Sequence, residues 1–155
     1  MPGVRWLLVS FLLLLPACTS ASKQSFEITV KNETAGPLSL GLIKNGPPSE
    51  DGWIAPHEVA MMAPQLADRH WGWVLPPGET KTFGPYSGHF ESQTHAILRV
   101  YAGTPTIDEM IAFSKDDPER LDIYLWPGKS AYVIRNGQHR LEYRVPADSQ
   151  PEAHK

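Results

Sequence analysis

Apolar and polar side chains alternate along several short stretches of this chain, and that period of two is what most restricts its fold. Phe26, Ile28 and Val30 alternate with Glu27, Thr29 and Lys31, and Leu38, Leu40 and Leu42 alternate with Ser39 and Gly41. Successive side chains of a strand point to opposite faces, so each stretch reads as a strand with one face in a core. The intervening Asn32 to Pro37 has turn chemistry, which predicts an opening hairpin. Further strands are predicted over Ala96–Tyr101, Leu121–Trp126, Ala131–Ile134 and Arg140–Val145, six or seven in all. Asn136-Gly137 separates the last two, and both residues tolerate the positive φ of a two-residue hairpin turn. Pro77-Gly78 and Pro127-Gly128 suit type II turns, where Pro sets φ at the second position and Gly supplies positive φ at the third.

Two short helices interrupt this pattern. Thr106 with Glu109 forms a capping box, after which Ile107, Met110 and Ile111 share one face. Pro56 to Ala63 begins with a proline in its first turn and is stopped by Pro64. Short strands with Pro/Gly turns and only two helices predict a mainly β fold. The expected form is a single antiparallel β-sandwich of Ig-like or transthyretin-like size with two helical insertions, a small open barrel being the alternative. With 14 Lys+Arg against 17 Asp+Glu the chain has no basic footprint for nucleic acid. A single Cys excludes an internal disulfide and a thiolate metal cluster within one chain, so packing alone must hold the core.

The N-terminus carries an address. Arg5 precedes the apolar run Trp6 to Leu15, followed by Pro16-Ala17-Cys18. A charged start, about ten apolar residues and a small residue at the cleavage point read as a secretory signal, too short to span a bilayer. Leu15-Pro16-Ala17-Cys18 resembles the lipobox of bacterial lipoproteins, with Pro16 in place of the usual small residue. The resemblance implies cleavage of residues 1–17 and acylation of Cys18. Thr19, rather than Asp, follows the cysteine, which by resemblance to enterobacterial sorting implies an outer-membrane anchor facing the periplasm. Residues 18–25, without a large apolar side chain, are then a lipidated Cys and flexible tether; 26–145 form the folded domain; and 146–155 form a polar, disordered tail.

The chain contains no G-x-S-x-G, and its adjacent carboxylates, Glu50-Asp51 and Asp116-Asp117, suit turns better than catalysis. No catalytic residue and no cofactor is expected. The candidate binding residues lie between Trp53 and Phe90. Trp71 and Trp73 would share one side of an extended chain as an indole platform, and Gly84 to Thr94, with Tyr86, His89 and Phe90, reads as a long polar recognition loop. The expected function is a non-enzymatic, membrane-anchored binding or structural module for an envelope glycan or protein. The alternative is a copper- or zinc-handling module, for which His57 and Met61, four apart on one helix face, are the weak metal candidates.

Overall fold

The computed structural model describes residues 20–147. Within them the chain runs through β1 (Ser22–Asn32), β2 (Leu38–Lys44), α1 (Pro56–Met62), a 3-10 turn (Pro64–Leu66), β3 (Trp73–Leu75), β4 (Thr80–Phe90), β5 (Ala96–Ala102), α2 (Ile107–Ala112), β6 (Arg120–Tyr124), β7 (Gly128–Asn136) and β8 (Leu141–Arg144). Two four-stranded sheets, ordered β4-β1-β7-β8 and β3-β2-β5-β6, face each other as a β-sandwich. The inward halves of the alternating stretches fill the space between them. Phe26, Ile28 and Val30 of β1 meet Leu38, Leu40 and Leu42 of β2, with Leu98, Val100, Ile123 and Ile134, in one buried cluster.

Neither β1–β2 nor β7–β8 is joined as expected. β1 and β2 are consecutive but lie in different sheets, so there is no opening hairpin. The turn residues instead build a corner around Asn32, which is fully buried. Its Nδ2 donates to the carbonyls of Gly36 and Leu75, both at 2.9 Å, while its Oδ1 accepts from the Thr34 N–H at 2.9 Å and the Thr34 hydroxyl at 2.7 Å. A fully satisfied buried amide of this kind fixes where the chain crosses between sheets. β1 then pairs antiparallel with β4 but parallel with β7, so the first sheet is mixed rather than wholly antiparallel. The β7–β8 hairpin is longer than the two residues expected. Asn136 pairs with Leu141, and the Gly137 N–H donates to the Arg140 carbonyl at 2.8 Å, closing a loop across residues 137–140. Pro77-Gly78 does turn as expected, with Gly78 at φ 78°.

β3 and β4 are the strands that periodicity missed. β4 occupies what read as a polar loop, residues 84–90 included, and only Phe83, Gly88 and Phe90 are buried along it. It is an edge strand, where Pro85 leaves no ladder bond unmade, and its pairing with β1 slips at Gly84-Pro85 opposite Glu27. β1 starts at Ser22, inside the expected tether, because Ser22 to Ser25 pair with Phe90 to Ser87. The signal peptide, Cys18 and the tail from residue 148 onward lie outside the described residues.

Both predicted helices are present. The Thr106 hydroxyl accepts from the Glu109 N–H at 3.3 Å while the Glu109 carboxylate accepts from the Thr106 N–H at 2.8 Å, completing the capping box. Both belong to insertions that cover the outer face of the second sheet. This explains β2, where Leu38 to Ile43 are buried without alternation. Leu38, Leu40 and Leu42 face the core, whereas Ile43 packs outward with Ala55 and Ile97, and Trp71 closes over that second cluster.

Candidate functional site

Lys44 at the end of β2 carries an ammonium group on a side chain only 3% exposed. Burying a charge is costly unless it is paired and hydrogen-bonded, and here three acceptors converge. Lys44 Nζ donates to the Pro48 carbonyl at 3.0 Å, the His89 carbonyl at 2.8 Å and the Glu50 carboxylate. It also sits over the Phe90 ring, 4.7 Å from the centroid, and 5.8 Å from that of Trp53. Glu50 in turn accepts from the His89 N–H at 2.8 Å and pairs with His89 Nδ1 at 2.6 Å. Hydrogen bonds from Lys44 and then His89 pull the Glu50 carboxyl down to about 2.

Beneath this polar layer Phe26, Trp53 and Phe90 meet edge to face, with centroids 5.3 to 5.6 Å apart. Trp53 Nε1 donates to the Ser87 carbonyl at 3.2 Å. Gly88 lies so close under the indole that a Cβ there would fall 2.8 Å from Nε1. Lys44, Glu50 and His89 therefore clamp the loop between β2 and α1 onto β4, sealing an aromatic core.

A cleft of about 450 Å³ opens beside the clamp, lined by Ile43, Glu50, His57, Glu58 and Arg99 among others. Its charged groups are already engaged. Lys44 has its three donors committed, Glu50 is held ionised, and Glu58 accepts from the Ala55 N–H at 2.7 Å. Arg99 makes a bidentate pair with Asp122, its register partner on β6, at 2.8 and 2.7 Å. Burial pushes the Asp122 carboxyl up, but the hydrogen bonds from Arg99 and Arg120 outweigh it and hold the group below its ordinary range. Arg120 also donates to the Phe113 carbonyl at 2.9 Å, tying the end of α2 to the sheet. Such an arrangement positions loops and helices.

The aromatic residues expected to form one platform are separated. Trp73 is the register partner of Leu40 and packs on the core side of the second sheet. Trp71 lies over Gly41, whose face is the opposite one; a Cβ on Gly41 would lie inside the indole. Gly72, at φ 85°, breaks the extended alternation between them, and this is why two positions of equal parity end on different faces. Trp73 stacks on Tyr86 at 5.5 Å and meets Phe83 at a tilt at 4.8 Å, bridging the edge strands β3 and β4. Phe90 is 2% exposed, a core residue rather than part of a loop surface. Only Tyr86 and His89 of the expected set keep substantial exposure. His57 and Met61 are both exposed on α1, and among the described residues no three His, Cys, Asp or Glu side chains converge as a metal site would require.

Sequence reasoning missed the most exposed indole among the described residues. Trp126, read as the end of a strand, lies beyond β6 and is 78% exposed, with Tyr124 at 58%. His95 meets the Tyr124 ring edge-on at 5.7 Å. The run Tyr124, Leu125, Trp126 held the signal: its alternation puts Leu125 in the core, 5% exposed, and both aromatics outside.

No family model and no curated protein matches the chain. Among solved structures, the crystal structure of the T6SS lipoprotein TssJ1 from Pseudomonas aeruginosa matches with a TM-score of 0.35 and 15% sequence identity, over 84% of this chain and 99% of that one. No helix among the described residues is long and apolar enough to cross a membrane.

Proposed function

We propose that this chain is an envelope lipoprotein, held on the outer membrane by acyl chains on Cys18 and facing the periplasm, whose β-sandwich is a non-enzymatic binding or structural module for an envelope protein or glycan. The observation that carries this reading is the position of Cys18. It follows an apolar run in a lipobox-like sequence, and the first strand begins at Ser22, four residues further on. An N-terminal acylated cysteine leading straight into a sandwich is an anchor for the domain, since several acyl chains bind a bilayer far more firmly than the marginal hold of one. The engaged state of Lys44, Glu50, Arg99 and Asp122 supports a structural rather than a catalytic use of the charged clusters.

The test is intact-mass analysis of the full chain expressed in a bacterium, with and without an inhibitor of lipoprotein signal peptidase, together with membrane fractionation of Cys18→Ser. A mature N-terminus at Cys18 carrying diacylglyceryl mass, and loss of membrane association in the variant, are expected. Cleavage elsewhere with an unmodified thiol would sink the reading.

A further inference from the structure

One end of the sandwich carries a groove of about 410 Å³ between the start of β1 and the connection from β6 to β7. Ser20, Ser22 and Gln24 line one side and Trp126 and Pro127 the other. The remaining polar lining is mostly uncharged, Glu91 being its single carboxylate. Tyr124 and Trp126 flank this end, turned outward because the Leu125 N–H between them donates to the Ala96 carbonyl at 2.9 Å and fixes the alternation. A large indole left in water is an unfavourable arrangement for a free domain, so its surroundings matter.

Ser20 stands two residues after Cys18, and two residues of extended chain reach about 7 Å at most. The groove that contains Ser20 also contains Trp126. We infer that Trp126, with Tyr124 beside it, sits in the headgroup zone of the same bilayer that holds the Cys18 acyl chains, so that the domain rests end-on upon the membrane. The inference deepens the anchor reading and rests on it. The ligand surface is the lipid interface itself, where amphipathic indole and phenol rings are favoured. A polar rim with a single carboxylate suits that zone, because few ions need be stripped of water there. β7 starts at this end, and the turn at Gly137 and the Pro77-Gly78 turn before β4 lie at the far end, pointed away from the membrane.

The test uses the mature lipoprotein purified from membranes, its acylation checked by intact mass. It is reconstituted into phosphatidylethanolamine/phosphatidylglycerol vesicles with or without acyl chains brominated near the headgroup. The emission of wild type minus that of Trp126→Phe isolates this indole. Loss of most of that difference in brominated vesicles, with the residual emission of Trp126→Phe unchanged by bromine, is the expected result. An acylated protein whose Trp126 emission survives bromine overturns the inference while leaving the anchor intact, whether the indole is open to acrylamide or shielded by a second copy. A chain without the acyl mass overturns both together.

Discussion

Trp53 and Trp126 stand at opposite extremes of exposure at the same end of the sandwich: one is 5% exposed and the other 78%. Trp53 has what burial of an indole requires, namely two edge-on phenyl rings, an acceptor for its N–H and a glycine beneath it. Trp126 lies past a strand end beside Pro127, and among the described residues no aromatic ring packs against it. The lesson is that an indole is buried here where the opposing strand offers a glycine or a ring, not where the local sequence is richest in tryptophan. The largest effect should follow from breaking the buried arrangement. Trp53→Ala removes three packing partners' contacts and leaves the Ser87 carbonyl without its donor, so a loss of about 3–5 kcal/mol is expected in urea unfolding. A loss below about 1 kcal/mol would show that the aromatic cluster relaxes around the cavity.

Trp71 tests the same rule on the outer face. Gly41→Val places a branched side chain where the indole lies, and overpacking of this kind costs about 1–3 kcal/mol. The cost should shrink when Trp71→Ala is combined with it, because the clash disappears with the ring. A double-mutant cycle in denaturant measures this coupling, and strictly additive effects would mean that Trp71 does not rest on Gly41.

How much of this was legible beforehand depends on which residues carry local information. The inner faces of β1 and β6 were legible because the other face is wet, that of β2 because Ser39 and Gly41 separate its leucines, β5 as a largely apolar run buried on both faces, and the capping box of α2 because its partners are three residues apart. β4 was not legible, since an edge strand that is exposed along most of its length and interrupted by Gly-Pro at its bulge shows no alternation. The Lys44–Glu50–His89 clamp was equally hidden. Glu50 and His89 are 39 residues apart, and only the tertiary fold brings them together. The indole platform failed at one residue, Gly72, whose positive φ no periodicity argument sees.

Acid should loosen the cover of Trp53 while sparing Trp126. Glu50 has a carboxyl pulled to about 2 in the fold against 4.5 ordinarily, so the unfolded chain takes up the proton first. Its contribution to stability is therefore complete above pH 4.5 and disappears as the pH falls toward 2. Glu50→Gln should flatten that part of the stability profile, and acrylamide quenching of the Trp53 emission should rise over the same range in wild type alone. A variant with the wild-type acid limb would show that other carboxylates govern it.

The smallest effect is expected at the exposed indole. Trp126 is 78% exposed and its side chain makes no described hydrogen bond, so in Trp126→Phe unfolding in solution should shift by no more than about 0.5 kcal/mol, in contrast to Trp53→Ala. The same variant should nonetheless remove the most readily quenched tryptophan emission, because Trp53 is buried and Trp71 and Trp73 are partly covered by the second sheet's outer cluster and by Phe83 and Tyr86. Stability and accessibility thus separate at Trp126 and move together at Trp53. If Trp126→Phe destabilised the domain by as much as a core truncation, the indole would have a packing partner, and the contrast between the two indoles would collapse.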